Sequence, residues 1–287
     1  MTKHTQTFKD FQTKHNLNYS NFFTFTNPKV LKNDLKEVPT AILMLMNTPK
    51  ACPSAGSCRS VCLITSGNPI YLDNKIKCRI RRNNAFMSDY SIFLRYLVVN
   101  CFRHYAKNRT ALKVGFRLNG VSDYAWEDFS VKLTKEDTDY IQKAFNIYIE
   151  PIRYGSVIEA VQKAIDLNDN KLIRNSVQFY DYSKRIDRDF KKIKALNYHI
   201  TLSHGSKHDT FKKALELGLN YACAFNLKKS QELPKNFTYR GIKLNVIDGD
   251  ITDYRPLDNN NKTNIVGLHF KIVVNKDDAK KLDFCIA

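Results

Sequence analysis

The chain has 287 residues and a mass of 33.3 kDa, which is enough for one large domain or two small ones. Hydrophobic residues make up 43% of it, which argues against a disordered protein, and no apolar run approaches the roughly 20 residues of a membrane-spanning helix. Lysine and arginine number 46 against 28 aspartate and glutamate residues, a formal net charge of +18. The polar N-terminus has no apolar signal core, so we expect a cytoplasmic protein rather than a secreted one.

The first segment, residues 1–38, is expected to be an arm that packs onto the main body through aromatic side chains. These anchors are Phe8, Phe11, Phe22, Phe23 and Phe25. Residues 39–287 are expected to form a single domain. It begins with the apolar run TAILMLMN at 40–47, which suits a strand buried on both faces.

The next elements alternate between strand and helix. The loop KACPSAGSCRSVCLITSGNP follows the first strand, and apolar residues then recur at helical spacing from Ile76 to Lys107, which predicts one long helix with a basic exposed side. A second strand is predicted at 111–120. Helices are predicted at 134–146, where Thr134 and Asp137 form a start like a capping box, and at 157–167.

Five further apolar runs have the character of strands. They lie at 176–183, 198–204, 221–227, 242–250 and 264–274, with a helix at 211–219 that ends at Gly218. Strands that alternate with helices predict an α/β fold with a mainly parallel sheet, here a partial or complete (β/α) barrel. The DNNNK stretch at 258–262 is expected to be a turn or surface loop.

In barrels and open parallel sheets alike, chemistry collects where the strands end. The polar residues just after the predicted strands are Asn47, Arg117, Asn119, Asp123, Tyr182, Lys184, Ser203, His204, Asn226, Asp248 and Asp250. The candidates for catalysis are Arg117, Asp123, Tyr182, Lys184 and Asp250, and those for binding a cofactor are Asn119, Ser203 and Asp248.

Structural roles are the alternative for several of these residues. Arg117 could be ion-paired with Asp123 or Asp250 as a latch, and Tyr182 with Lys184 could close a barrel rim. The aspartates at 248, 250 and 253 could hold a turn or meet Arg255, and a hard cation such as Mg²⁺ is a weaker alternative.

Three of the seven cysteines, Cys52, Cys58 and Cys62, form the pattern C-x5-C-x3-C within one loop rich in small residues. Three clustered thiolates suit a [4Fe–4S] cluster whose fourth iron is left open. A structural zinc ion would need a distant fourth ligand, such as Cys78, His204 or His208. The third alternative is three unligated thiols, one of them catalytic.

The other cysteines, Cys78, Cys101, Cys223 and Cys285, are expected to be small buried hydrophobic residues. His204 and His208 are four residues apart, so they could share a metal, although one of them capping the following helix is the simpler interpretation.

A three-cysteine loop directly after the first buried strand of a (β/α) barrel resembles the radical S-adenosylmethionine superfamily. There the open iron binds the amino and carboxylate groups of the cofactor, so the resemblance implies both a [4Fe–4S] cluster and S-adenosylmethionine. The superfamily's usual spacing is C-x3-C-x2-C, from which this loop departs. Its glycine-rich stretch after the second strand is represented here by Asn119-Gly120.

A more specific resemblance is to the gene product 88 family of phage and plasmid proteins. The matching segments include CPSAGSCRSVCLITSGN at 52–68, FRLNGVSDYAWE at 116–127, VQFYDYSKR at 177–185 and VIDGDITDYRPLD at 246–258. The resemblance implies a mobile-element protein that acts in a bacterial cytoplasm. The recurrent polar positions it implies are Cys52, Cys58, Cys62, Arg117, Asn119, Asp123, Tyr182, Lys184, Ser203, Asp248, Asp250, Asp253 and Arg255.

The positive charge is concentrated in the stretch from Lys75 to Arg117, which holds eleven lysine or arginine residues and one acid, Asp89. Such a density is expected of a protein that binds a phosphate backbone, whereas the plainer alternative is a solvated helix face.

These observations support an iron–sulfur protein on a radical-SAM-like barrel that acts on or is bound to nucleic acid; they leave open whether it is an enzyme. The alternative is a non-catalytic, basic nucleic-acid-binding accessory protein with zinc or no metal at the cysteine loop. A zinc hydrolase or nuclease that uses His204, His208 and the aspartates ranks last. The sequence does not indicate the oligomeric state.

Overall fold

The computed structural model describes residues 3–25, 31–33, 38–62, 69–168, 176–258, 262–270 and 284–286. Its helices are α1 (Lys3–His15), α2 (Tyr19–Phe22), α3 (Leu72–Ser88), α4 (Tyr90–Lys107), α5 (Lys135–Phe145), α6 (Val157–Asn168), α7 (Phe190–Ala195) and α8 (Thr210–Leu217). Its strands are β1 (Thr40–Ile42), β2 (Lys113–Arg117), β3 (Val131–Lys132), β4 (Arg153–Tyr154), β5 (Ser176–Ser183), β6 (His199–Ser203), β7 (Tyr221–Phe225), β8 (Asn236–Tyr239), β9 (Ile242–Asp248) and β10 (Ile265–His269).

Eight of these strands form one sheet in the order β1-β2-β5-β6-β7-β10-β9-β8. Every neighbouring pair is parallel except β8 with β9. The predicted α/β fold with a mainly parallel sheet is confirmed. From β1 to β7 the strands follow one another in chain order, as in a (β/α) barrel, whereas the order reverses in a doubly wound sheet.

The sheet is open. Within the described residues β1 and β8 are its two edges, so the alternative of a complete barrel is wrong. β8 cannot continue the parallel pattern because a tight hairpin joins it to β9, and a hairpin reverses the chain direction.

The long helix predicted from 76 to 107 is two helices. Asp89 leaves the helical region with φ −128° and ψ 50°, which ends α3 and begins α4. Its carboxylate accepts hydrogen bonds from Lys14 Nζ at 2.8 Å and from His15 Nε2 at 2.5 Å. Contacts with a distant helix therefore fix a break that the apolar periodicity does not show.

Other predicted elements differ mainly in length. The first strand is three residues long rather than eight, and the last ends at His269, since residues 271–274 lie outside the described part of the chain. Most of the expected turn at 258–262 also lies outside it. Helix α1 lies in the segment that was expected only as an arm. Five short elements, α2, β3, β4, β8 and α7, were not predicted either, because runs of two to six residues carry little periodicity.

Two predicted helix ends are confirmed. Thr134 caps α5: its hydroxyl oxygen accepts from the Asp137 N–H at 3.3 Å, while the Asp137 carboxylate accepts from the Thr134 N–H at 2.9 Å. Gly218 ends α8 with φ +65°, the left-handed conformation that glycine adopts readily.

The N-terminal arm packs against the sheet layer. Phe8, Phe11, Phe22 and Phe23 are buried in the same hydrophobic core as the strands, and Thr24 forms an antiparallel bridge with Ile42 of β1. None of the described helices combines the length and apolar character needed to cross a lipid bilayer.

His104, on α4, lies between this arm and the sheet. Its ring stacks on Phe25 with centroids 5.4 Å apart and meets Phe116 edge-on at the same separation. Nε2 lies 3.3 Å from the carbonyl oxygen of Pro39. Burial lowers the pKa of His104 to about 4, so the folded protein holds this imidazole neutral.

This pKa makes stability depend on pH. An unfolded chain protonates His104 near its ordinary pKa of 6.5, but the folded chain does so only near 4, so stability is lost as the pH falls between these values. The loss approaches about 3 kcal/mol. His104→Phe keeps an aromatic ring and should flatten this part of the profile in urea unfolding measured from pH 7 to pH 4.

His199, whose pKa burial also lowers to about 4, keeps its own contribution in that variant, so the profile is flattened in part. His208→Gln, at an exposed histidine, is the control and should leave the profile unchanged. An identical loss of stability on acidification in wild type and His104→Phe would contradict this account.

Candidate functional site

A cavity of about 270 Å³ opens at the carboxyl ends of the parallel strands. Ten of the eleven residues predicted for the site line it: Cys52, Cys58, Cys62, Arg117, Asn119, Asp123, Tyr182, Lys184, Ser203 and Asp250. The eleventh, Asp248, is exposed at the end of β9, where its carboxylate accepts a 2.8 Å hydrogen bond from the Asp250 N–H. The parallel topology brings the other ten together because the strand ends meet at one edge of the sheet.

The cysteine loop is held over this edge by backbone hydrogen bonds. The N–H groups of Gly56 and Cys58 both donate to the carbonyl oxygen of Gly205, at 2.9 and 3.3 Å, and the Lys207 N–H donates to the carbonyl oxygen of Ser54 at 3.1 Å. We call these bonds the loop clamp. They join the loop that follows β1 to the loop that follows β6, so the cysteines face the cavity from above the sheet.

Two glycines make the loop clamp possible. A Cβ atom on Gly56 would lie 2.7 Å from the carbonyl carbon of Ser206, which is too close for any side chain. Gly205 has φ +83°, and a Cβ there would lie 3.0 Å from Cβ of Cys58 and from the ring of Phe284. Glycine is therefore required at both positions, for close approach at one and for backbone conformation as well at the other.

The three thiols are electrostatic neighbours in a half-buried setting. Burial is the largest cause that raises the pKa of Cys52 to about 12, followed by Asp123, Cys62 and Cys58. Burial also raises the pKa of Cys58, and the Lys184 ammonium opposes this. Cys52 and Cys58 are thus protonated at neutral pH, and binding a metal there would release protons. Among the described residues, no three such donors are already close enough to hold a metal ion.

Asp123 organises the floor of the cavity below the cysteines. Its carboxylate accepts hydrogen bonds from the Ser183 hydroxyl and the Lys184 N–H, both at 2.7 Å. The Lys184 ammonium in turn donates to the Ser203 hydroxyl oxygen at 2.7 Å. Burial raises the pKa of Asp123, while Arg188 and these hydrogen bonds oppose the shift. A positive charge is therefore fixed between the thiols and the end of β6.

Arg117 forms a latch, but not with the expected partners. Its Nη1 lies 2.7 Å from Oδ2 of Asp253, and its Nε lies 3.9 Å from Oδ1 of Asp181. The alternative of a pair with Asp123 or Asp250 is wrong, because those carboxylates are bound to Ser183 and Lys184 or to His269. The Arg117 guanidinium also lies over the Tyr182 ring, 4.8 Å from its centroid.

Asp181, in the middle of β5, was not among the predicted site residues. It accepts hydrogen bonds from the Asn119 N–H at 2.8 Å and from the Tyr198 hydroxyl at 2.5 Å. It is fully buried, and burial raises its pKa to about 7. The available signal was a lone acid between two tyrosines, Tyr180 and Tyr182, in the middle of a predicted strand.

Asn119 shapes the loop after β2. Its side-chain oxygen accepts from the Ser122 hydroxyl at 3.0 Å, the Tyr124 N–H at 2.9 Å and the Trp126 indole N–H at 3.0 Å. Its amide nitrogen donates to the carbonyl oxygen of Tyr124 at 2.9 Å. The Asn119 side chain positions the 119–126 loop. Because its polar atoms are used in these hydrogen bonds, neighbouring residues are better placed to contact a bound molecule.

The acidic turn after β9 is tied to β10. The Asp250 carboxylate accepts from the His269 N–H at 2.8 Å and lies 2.9 Å from His269 Nδ1, while His269 Nε2 lies 2.8 Å from the carbonyl oxygen of Gln231. The ion pair of Arg255 is with Asp258 rather than with the aspartates of this turn, and Asp253 is a weaker electrostatic neighbour. The Arg255 guanidinium pairs with Asp258 at 3.2 Å and donates to the carbonyl oxygen of Thr252.

The two candidate histidines, His204 and His208, do not lie in the same site. His204 lines the cavity with Nδ1 2.9 Å from the Tyr221 hydroxyl, whereas His208 is exposed. Neither caps α8, since the Asp209 carboxylate accepts from the Lys212 N–H at 3.0 Å and fills that role.

A short C-terminal segment completes the wall. Cys285 forms a parallel bridge with Ala224, and the Ile286 N–H donates to the Ala224 carbonyl oxygen at 3.0 Å. Phe284 lines the cavity and packs on Phe270 with centroids 6.0 Å apart. Sequence reasoning missed this contact, because a three-residue segment has no pattern that distinguishes it from a loose terminus.

Several of the basic side chains between Lys75 and Arg117 are buried or ion-paired inside the protein. Arg79, Arg82 and Arg117 are buried, and Arg95 forms an ion pair of 2.6 Å with Asp137. The exposed members are Lys75, Lys77, Lys107, Arg109 and Lys113. Lys75 and Lys77 lie on α3, Lys107 ends α4, Arg109 lies in the turn after it and Lys113 begins β2, so fewer than half of the eleven basic residues are exposed.

Fold and cavity together define an α/β protein with an open, mainly parallel sheet and a cysteine-lined site at its carboxyl edge. The gene product 88 family model matches residues 21–286, so the chain belongs to the gene product 88 family and the predicted family resemblance is confirmed. No curated protein and no solved structure matches the chain.

The loop clamp predicts a specific effect of Gly205→Ala. Gly218 also has a positive φ, but a Cβ there would meet nothing within 4 Å, so Gly218→Ala is a matched control. Both variants should lose about 1 to 3 kcal/mol through backbone strain. Only Gly205→Ala should displace Cys58, which mass spectrometry would detect as faster alkylation of that thiol. Equal alkylation rates in the two variants would contradict the clamp.

The Arg117 latch predicts a large stability loss when one partner is removed. Arg117→Met leaves Asp253 and Asp181 buried without their cation, which should lower the free energy of unfolding by about 3 to 5 kcal/mol. Lys135→Met breaks the exposed Lys135–Asp139 pair and should cost at most about 1 kcal/mol. Urea unfolding measures both, and similar losses would contradict a buried ionic latch.

Proposed function

We propose that this protein is an iron–sulfur enzyme in which Cys52, Cys58 and Cys62 hold a [4Fe–4S] cluster and the cavity beside them binds S-adenosylmethionine. The observation that carries the proposal is the placement of all three cysteines of one loop on the wall of one cavity, at the carboxyl edge of a sheet whose first strands run in barrel order. In (β/α) folds that edge is where catalytic groups are placed.

The chemistry of the donors fits an iron–sulfur cluster better than a structural zinc ion. Three thiolates can hold three irons and leave one open, whereas a structural zinc takes four ligands. A further cysteine, Cys223, lines the cavity, but its electrostatic neighbour is Cys285 and not the cysteine loop. Cys78 is turned to Arg81, whose Nη2 lies 3.0 Å from its sulfur. The proposal requires the loop to draw its thiols closer together than they lie without the cluster.

Nearby cations favour the thiolate forms that a cluster needs. Lys184 lowers the pKa values of both Cys52 and Cys58, against the larger effect of burial. The Arg79 guanidinium interacts electrostatically with Cys62. These two side chains come from different elements, the end of β5 and helix α3, so they flank the loop. Deprotonated cysteines would be far less costly between them than in an apolar wall.

A cluster held by Cys52, Cys58 and Cys62 would supply one-electron chemistry toward S-adenosylmethionine bound in the cavity. The residues of this chain would position the reactants and limit access of water. Lys184 and Ser203 present hydrogen-bonding groups at the cavity floor, and Phe284 with Leu268 gives it an apolar side. The buried latch of Arg117 and Asp253 holds two walls of the cavity in place.

The test is anaerobic purification followed by analysis of iron, sulfide and zinc. Wild type should be brown and contain about four irons and four sulfides per chain. Cys58→Ser should lose most of the iron and the visible absorption, because one of three ligands is gone. Cys78→Ser changes a half-buried cysteine outside the cavity and should keep both.

Three results would overturn the proposal. They are stoichiometric zinc without iron in wild type, full iron in Cys58→Ser, and equal loss of iron in both variants. The first would favour the alternative of a structural zinc at the loop. Circular dichroism of each variant ensures that a loss of iron is not a loss of fold.

A further inference from the structure

The hairpin of β8 and β9 forms one end of the sheet, where β9 pairs with β10 and β8 is the edge strand. Arg240 and Gly241 join the two strands in a two-residue turn with φ values of 50° and 79°, as a type I′ turn requires. One face of the hairpin packs on β7: the Phe237 ring lies 5.3 Å from that of Phe225, and the Tyr239 ring lies 6.0 Å from that of Tyr221.

The opposite face of this hairpin points to solvent and is polar. Asn236 lies opposite Asn245, and Thr238 lies opposite Lys243, so these four side chains share one face of a two-stranded ribbon. All four are exposed. Asparagine and threonine side chains both donate and accept hydrogen bonds, and lysine donates them.

Positive charge surrounds this face. Between residues 228 and 243 the chain has five basic residues and one acid, Glu232. The basic residues are Lys228, Lys229, Lys235, Arg240 and Lys243, and all are exposed. Arg240 pairs with Asp209 at 2.9 Å, whereas the four lysines form no salt bridge within the described residues. In contrast to the stretch from Lys75 to Arg117, this charge is directed to solvent.

We propose that this ribbon is a docking surface for duplex DNA. Unpaired lysines would bind phosphates and release counterions, which supplies most of the affinity in such complexes. The major groove of B-form DNA admits a two-stranded β-ribbon, and asparagine, threonine and lysine side chains can bond to base edges there. The hairpin therefore has both features that such a complex needs: a polar face that can contact base edges, and lysines beside it that can bind phosphates.

Other anionic partners fit the same surface less well. Single strands are usually held by exposed aromatic rings, but Phe237 and Tyr239 face inward onto β7. The major groove of double-stranded RNA is too narrow for a ribbon to read. A lipid surface would favour apolar side chains beside the lysines, whereas the four paired side chains of the solvent face are all polar.

None of residues 228–243 lines the cysteine cavity. The docking surface therefore does not depend on the proposed cluster, and either idea can fail without the other. DNA binding should persist in Cys58→Ser.

The test compares two triple variants with the same change in net charge. The ribbon variant removes one lysine of the hairpin and two that precede it: Lys228→Gln/Lys229→Gln/Lys243→Gln. The control variant removes three exposed lysines on α7 and α8: Lys191→Gln/Lys194→Gln/Lys212→Gln. Fluorescence anisotropy with a short labelled DNA duplex is measured over a series of salt concentrations. The ribbon variant should bind about tenfold more weakly at low salt, and the slope of log Kd against log salt should fall by about 2.7.

The control variant should keep nearly the wild-type affinity and slope. Equal losses in both variants would overturn the proposal, because they would show only an effect of total charge. So would unchanged binding by the ribbon variant, no binding of duplex DNA by wild type, or tighter binding of single strands, of double-stranded RNA, or of phosphatidylserine vesicles. Circular dichroism of both variants confirms that each is folded.

Discussion

The site depends on the loop clamp, the backbone hydrogen bonds between the cysteine loop and residues 205–207. These three bonds join segments about 150 residues apart in the chain, and they hold Cys58 and its neighbours Ser54 and Gly56 against the loop that follows β6. A further hydrogen bond joins the start of the cysteine loop to the loop that follows β2: the Asp123 N–H donates to the Ala51 carbonyl oxygen at 3.0 Å. Side chains on a loop of this length would otherwise sample many positions. The free energy of these contacts offsets part of the conformational entropy that is lost when the loop is fixed in one position.

Below the loop lies a layer of buried charge. Glu127 and Arg188 form a fully buried pair at 2.5 Å, and Arg117 binds Asp253 close to Asp181. Charges removed from water cost several kcal/mol each unless they are paired and hydrogen-bonded, so such pairs are poor sources of net stability. They do fix geometry, because breaking one leaves its partner uncompensated. The same low-polarity surroundings raise the pKa of Cys52 and Asp181, which gives the cavity an electrostatic character unlike that of the surface.

The sequence predicted where the site lies better than how its residues are paired. Polar residues after apolar runs indicated the carboxyl edge of a parallel sheet, where the strand order and the loop clamp together bring ten candidates to one cavity. Nothing in the local sequence distinguishes Asp253 from Asp123 or Asp250 as the partner of Arg117, because that choice depends on contacts 136 residues apart. The break at Asp89, the hairpin of β8 and the packing of Phe284 are likewise tertiary effects. Charge counts misled for the same reason: they do not show which arginines are buried.

The most direct test of the central claim is electron paramagnetic resonance of the anaerobically reconstituted protein after reduction with dithionite, with and without S-adenosylmethionine. If the three cysteines hold a cluster with one open iron, the reduced protein should give the signal of a [4Fe–4S]⁺ centre. That signal should change shape when the cofactor binds the open iron. A protein that shows no such signal while its three thiols remain reactive toward an alkylating reagent would contradict the claim.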